Sequence, residues 1–190
     1  MTNKEILEFA KNVLSVEREA LKLVSDNLSE NFADVVKQIA SAKKIIVSGV
    51  GKSGIIAHKI ASTFASIGVP SYFMHPGDAM HGDLGMVESG DVCLLLSKSG
   101  STKEILEMFP YLRSRGATIA AITGNEKSYL AENSDYCINA YVEEEGCPLN
   151  TAPMASALVS LALGDALAAS VMKLRNITAR DFSRQHPLGQ

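Results

Sequence analysis

The sequence has no surplus of positive charge: 18 Lys and Arg stand against 21 Asp and Glu, a formal charge of -3. A dedicated nucleic-acid binder needs a basic patch, so that class is set aside, while a small cationic pocket is not. Cysteine is scarce. Cys93, Cys137 and Cys147 cannot all pair and show no CxxC spacing. A disulfide framework is therefore excluded, and a reducing compartment, the cytoplasm, is expected. Cys93 and Cys137 fall in expected strands and read as small apolar fillers. MTNKEILEFAKN at the N-terminus has charges through its apolar positions and does not read as a signal peptide. The longest apolar stretch is MASALVSLALGDALAASVMKL (154–174). Asp165 at its centre and interspersed serines make it a buried helix rather than a membrane span, with Asp165 answering a buried partner. Three-ligand metal spacing is missing too, so neither metal nor cofactor is expected.

What is present is an ordinary globular balance, 46% hydrophobic and 21% charged, in a chain long enough for one substantial core. Residues 2–28 carry apolar positions at helical steps (Ile6, Ala10, Val13, Ala20, Val24, Leu28), and Thr2 with Glu5 forms a capping box. A second helix is expected over 30–41. The rhythm then changes. Short apolar runs at 44–49, 70–75, 91–97, 117–123 and 135–140 alternate with helical segments at 53–67, 102–115 and 126–132. Continuous apolarity marks strands covered on both faces, and the alternation implies right-handed crossovers. The expectation is an α/β fold with a five-stranded parallel sheet flanked by helices. The stretch 76–90, with four glycines, reads as an irregular insertion. A long helix (153–174) and a short one begun by Thr178 with Asp181 follow. With no repeats and no linker, 1–190 reads as one domain: N-terminal helices over 1–41 and an α/β core over 42–190.

Two turns carry the chemistry. SGVGKSG (48–54) follows a strand and precedes a helix. A P-loop would need glycine at position 46, which is Ile46, so a triphosphate is rejected. Gly49, Gly51 and Gly54 fit GxGxxG, yet a dinucleotide site also wants an acid ending the second strand. That strand ends in His75-Pro76-Gly77, with Asp78 beyond as a substitute. The third strand ends in Ser97-Lys98-Ser99-Gly100-Ser101-Thr102 before a helix. Hydroxyls, a lysine and a helix N-terminus together favour an anion. Both turns stand at carboxyl ends of strands, where ligands bind in open α/β folds. Phosphate binding is the reading, against serines that merely cap helices.

SGVGKSG, HGDLGM (81–86), SKSGST, GCPLNTAP (146–153), GDALA (164–168) and DFSRQHPLG (181–189) together resemble the sugar isomerase (SIS) domains, over about residues 30–189. More narrowly, they resemble the D-arabinose 5-phosphate isomerases. The resemblance implies isomerisation of arabinose 5-phosphate to ribulose 5-phosphate in the supply of the eight-carbon lipopolysaccharide sugar, Kdo. It implies a catalytic set of Lys52, Glu104, Glu145 and His186. The phosphate would be held by Ser53, Ser97, Ser99, Ser101 and Thr102, with His81 a further substrate contact. Glu145 would shuttle the proton between C1 and C2, for which a raised pKa is suited. His186 would assist ring opening or act as an acid, and Lys52 would steady developing negative oxygen.

Plainer readings stand beside these. Ser101 to Glu104 spell a capping box, so Glu104 could be structural. Glu143, Glu144 and Glu145 could be a solvated acidic run. His81 could hydrogen-bond its own loop, and His186 lies where chains fray. The chain also departs from its resemblance. Lys98 and Ser101 replace the usual Asn or Gln and Glu, and Met154-Ala155-Ser156-Ala157 replaces a run of hydroxyls. The ending reads HPLGQ, and the CBS domain pair of most relatives does not follow. Alternatives are a hexulose-phosphate isomerase, suited by the APM at 152–154, and a non-catalytic phosphosugar sensor. The two greasy helices predict a symmetric oligomer, a tetramer by resemblance, with sites near subunit interfaces.

Overall fold

A computed structural model describes residues 1–187; Leu188 and Gly189 of the DFSRQHPLG stretch lie outside the described residues. The chain opens with α1 (Asn3–Asp26), whose Thr2–Glu5 capping box is formed as expected, and α2 (Glu30–Ser41). The alternating part runs β1 (Ile45–Gly49), α3 (Lys52–Ser66), β2 (Ser71–Phe73), α4 (Pro76–Ala79), β3 (Val92–Leu96), α5 (Lys103–Ser114), β4 (Thr118–Thr123), α6 (Tyr129–Asn133) and β5 (Tyr136–Asn139). It closes with α7 (Ala155–Leu174) and α8 (Ala179–Gln185), the latter entered through a Thr178–Asp181 capping box.

All five strands pair in parallel, in the order β2-β1-β3-β4-β5. The fold class read from the sequence therefore holds. β1 and β3 are buried at every position, which is why their sequences are continuously apolar rather than alternating. One face of the sheet carries the cluster built on Ile45, Val47, Leu94 and Ile122 with α1, α2, α3 and α7. The other carries Ile46, Cys93, Leu95 and Ile119 with α4, α5 and α6. The order reverses direction between β1 and β3. That reversal opens a crevice at their carboxyl ends, the place where open sheets of this topology bind ligands.

Three local expectations are corrected. The stretch 76–90 is not wholly irregular: α4 and a 3-10 turn at Asp83–Met86 lie within it, His75 capping α4 by accepting from the Gly77 N–H. α6 starts later than 126, because Asn125 Oδ1 accepts from Lys127 N and holds a turn there, leaving Ser128 as the cap. Asp165 answers a surface partner, Lys59 of α3, and both side chains are about half exposed. α7 has the length and apolarity of a membrane span. Within the fold it packs against α1, α2 and α3, burying Val159, Leu163, Leu167 and Val171.

Candidate active site

The turn after β1 is built by glycine contact. A Cβ on Gly49 would lie 2.7 Å from the Ser53 carbonyl oxygen, and one on Gly54 2.8 Å from the Gly49 carbonyl. Strand and helix therefore meet backbone to backbone. Gly51 between them has φ 60°, ψ -126°, outside the regions open to other residues. The result sets Lys52 and Ser53 in the first turn of α3, whose N-terminus has no side-chain cap.

The turn after β3 is held by its own hydroxyls. Ser97 Oγ lies 2.8 Å from Thr102 Oγ1 and accepts from Gly100 N at 3.0 Å. Ser99 Oγ accepts from the Ser101 hydroxyl at 2.9 Å and from Ser101 N at 3.2 Å. Thr102 occupies the cap position of α5 but turns its hydroxyl to Ser97, leaving the first N–H groups of α5 without a side-chain cap. The capping box expected over 101–104 is therefore not formed. Glu104 stands exposed and makes no hydrogen bond or ion pair among the described residues. Two helix N-termini, those of α3 and α5, thus stand open at the switch point. Each offers free N–H groups and the positive end of its dipole to an anion.

The third helix start is already occupied. Glu145 is not part of a solvated acidic run: Glu143 and Glu144 are exposed, while Glu145 is buried. Its Oε2 accepts from Met154 N at 2.8 Å and Ser156 N at 3.1 Å, capping α7. Its Oε1 accepts from Ser156 Oγ at 2.5 Å and from Lys98 Nζ at 2.5 Å. Its own N–H donates to Asn150 Oδ1 at 2.7 Å, which fixes the loop. Burial pushes the carboxyl up, but the bonds from Lys98, Ser156 and the Met154 and Ser156 N–H groups outweigh it and hold the pKa below the ordinary value. This overturns the raised pKa expected of a base at this position. Ser156 is the one hydroxyl kept in the stretch after Pro153 where the resemblance has several. The ion pair to Lys98, 47 residues away in sequence, has no local signal by which it could have been found.

Lys52, Ser53, Lys98, Pro153 and Ser156 line one narrow cleft of about 40 Å³. Lys52, Ser53 and Lys98 of the serine turn thus share one cleft, and Glu145 adjoins it through its bonds to Lys98 and Ser156 without lining it. It does not bring His186 to them within one chain. His186 ends α8, stacked on Phe182 at 4.1 Å between ring centroids. The preceding Gln185 lies against Gly68, just past the far end of α3. Lys52 begins that helix, whose 15 residues span about 22 Å. His81 is exposed beyond β2, its N–H donating to Asp78 O, and lines no part of the cleft. On the outer side of the loop, α1 presses against Gly146, where a Cβ would lie 2.7 Å from Val13 Cγ1. No group of three metal-ligating side chains occurs among the described residues.

Comparison with known proteins places this geometry. The arabinose 5-phosphate isomerase KdsD of Escherichia coli K12 is 43% identical over 180 residues, which are 94% of this chain and 55% of that protein. The protein of the same name from Pseudomonas aeruginosa is 41% identical over 188 residues, 98% of this chain and 58% of its own length. The chain therefore spans a little over half the length of these relatives. A solved structure from E. coli CFT073, in complex with arabinose 5-phosphate, superposes with a TM-score of 0.94 at 40% identity, covering 98% of this chain and 100% of its own. The model of the SIS domain family matches residues 38–170, and the chain belongs to that family.

Proposed function

We propose that this chain is an aldose–ketose isomerase that interconverts D-arabinose 5-phosphate and D-ribulose 5-phosphate through an enediolate. The observation that carries this reading is the convergence, at one crevice, of two uncapped helix N-termini, two lysines and a buried carboxylate. A doubly charged phosphate satisfies the open N–H groups, and the carboxylate then faces the other end of a short sugar. Relatives bearing the name of this reaction, and a neighbour of equal length solved with arabinose 5-phosphate, support it.

The phosphate is held by the serine turn (Ser97, Ser99, Ser101, Thr102) with Ser53. Glu145 takes the proton from C2 of the open-chain aldose and returns it to C1. Lys52 offsets the negative charge that builds on the enediolate oxygens between those steps, when electrostatic stabilisation matters most. Glu104 contacts hydroxyls, and His81, which lies outside its own chain's cleft, does so from a neighbouring subunit. His186 assists ring opening from the neighbouring subunit, since its own chain holds it at the other end of α3. That role requires an oligomer, proposed here as a homotetramer. Two surfaces support it: the outward Ile6, Leu7, Phe9 and Leu14 of α1, and an apolar groove between α2 and α7 that includes Phe32, Val36 and Leu174. The enzyme works in the cytoplasm without metal or cofactor and supplies arabinose 5-phosphate to lipopolysaccharide sugar synthesis.

The test is solvent exchange. Incubated in deuterium oxide with arabinose 5-phosphate, the protein is expected to form ribulose 5-phosphate carrying deuterium at C1. Binding without exchange would make it a sensor, and exchange on a hexulose phosphate alone would make it the other isomerase.

A further inference from the structure

All four acceptor positions of the Glu145 carboxylate are taken: two by Met154 N and Ser156 N on Oε2, two by Ser156 Oγ and Lys98 Nζ on Oε1. A carboxylate so occupied has no lone pair for a substrate proton. Three of the four donors belong to the first turn of α7 and cannot leave without uncapping it. The fourth comes from another element, the serine turn, on a flexible stem. Lys98 is 50% exposed where Glu145 is 1%. The cleft beside it, at about 40 Å³, has room for no more than a few waters. Lys52 and Lys98 are the two long flexible side chains among its lining residues.

We propose that Lys98 is a removable cap on Glu145: a sugar phosphate binding at Lys98's own turn draws the ammonium off Oε1, freeing that oxygen for the sugar and widening the cleft. This rests on the isomerase reading above and deepens it. Lys98 is then a positioning residue. It holds the carboxylate ionised and idle until an anion arrives, and the same anion that anchors the substrate releases the base. The attraction is a competition for one cation between a carboxylate and a doubly charged phosphate seated at a helix N-terminus, which the phosphate wins on charge. The other charges around Glu145 do not relieve it. Lys52 lines the same cleft without bonding it. Glu143, Glu144 and Cys147 share its loop. On the α1 side Glu19, Lys22 and Asp26 are engaged with Arg18 and with one another.

The experiment follows the Glu145 carboxyl by carbon-13 NMR titration of the intact protein, its signal identified by loss in Glu145→Gln. The probe is D-arabinitol 5-phosphate, which has the phosphate and hydroxyls but no carbonyl to isomerise. Its binding is read independently by phosphorus-31 shift. Bound probe is expected to move the Glu145 midpoint upward in the wild type. Lys98→Asn is expected to show the raised midpoint already without probe, with no further movement on binding, and Lys98→Arg to restore the probe-dependent shift. The wild-type arm needs no variant and stands alone where a variant folds poorly. Bound probe with an unmoved midpoint overturns the proposal, as does a probe-free Lys98→Asn titration matching the wild type. No phosphorus shift at all overturns the phosphate reading of the turn, and this proposal with it. Because turnover is never read, a protein that shows the shift but isomerises nothing refutes the isomerase assignment alone.

Discussion

Gly100 lies so close to Ser128 that a Cβ on it would stand 1.9 Å from the Ser128 Oγ. Its φ of 66° is in the left-handed region as well. Ser128 cannot step aside freely, since its hydroxyl accepts from Ala131 N and caps α6. Gly100→Ala is therefore expected to cost about 1–3 kcal/mol from backbone strain alone, with the clash added. Urea denaturation measures the loss. The serine turn should be displaced with it, so phosphate affinity should fall in the fraction that still folds. An alanine variant of wild-type stability would mean that the turn is not built as described.

Glu145→Gln replaces an acceptor of four bonds by a group that can accept only on one side. Its amide NH₂ then faces N–H donors or the Lys98 ammonium. Loss of about 1–3 kcal/mol in stability is expected from the unmatched donors. Turnover should fall about 10²–10⁴-fold, the range of a general base, with KM little changed. Glu104→Gln should leave stability untouched, because the exposed Glu104 side chain has no bond among the described residues. A larger turnover loss in Glu104→Gln than in Glu145→Gln would move the base to Glu104.

The same carboxylate sets an acid limit on stability. Its folded pKa lies below the ordinary 4.5, through bonds that burial does not cancel. As pH falls, the unfolded chain binds the proton first, so stability that is complete above 4.5 is lost on descent through the folded value. Denaturation midpoints between pH 6 and pH 3 should therefore drop more steeply in wild type than in Glu145→Gln. Parallel curves would mean that the lowered pKa is not realised.

Much of the fold could be read in advance because a parallel sheet buried on both faces leaves an unbroken mark. IIV at 45–47 and VCLLL at 92–96 admit hardly any other reading. The two glycine-bearing turns were legible for a different reason. Glycine at 49, 51, 54 and 100 is demanded by backbone geometry, which is local. What stayed hidden was long-range. The strand order depends on which crossover folds back, and the Lys98–Glu145 pair joins elements far apart in sequence. Glu104 misled because the capping-box pattern was present while Thr102 spent its hydroxyl on Ser97.

His186 gives a prediction about assembly. Lys52→Ala and His186→Ala should each be inactive. When the two are unfolded together and refolded, mixed pairs hold one complete site of two. About a quarter of wild-type activity should return for random pairing across a two-fold interface. No recovery would place His186 in its own chain's site, and an active His186→Ala would place it outside the reaction.

The cysteines should separate by reactivity. Cys147 Sγ accepts from Thr151 N at 3.0 Å and Ala152 N at 3.1 Å, which lowers its pKa. Burial pushes Cys93 up to about 12 and Cys137 up to about 11. Since the thiolate is the nucleophile, iodoacetamide at neutral pH should label Cys147 first, as read by peptide mass spectrometry. Prior labelling of Cys137 would contradict this ordering.

On the proposed assembly, the seat of Val13 on Gly146 would tie quaternary state to chemistry. The helix arm bearing Val13 also bears the greasy residues proposed to meet another subunit, and Gly146 is the immediate neighbour of the acid. Dilution that parts the subunits would slacken the arm and unseat the loop beneath it, so specific activity should decline with protein concentration before any unfolding is visible.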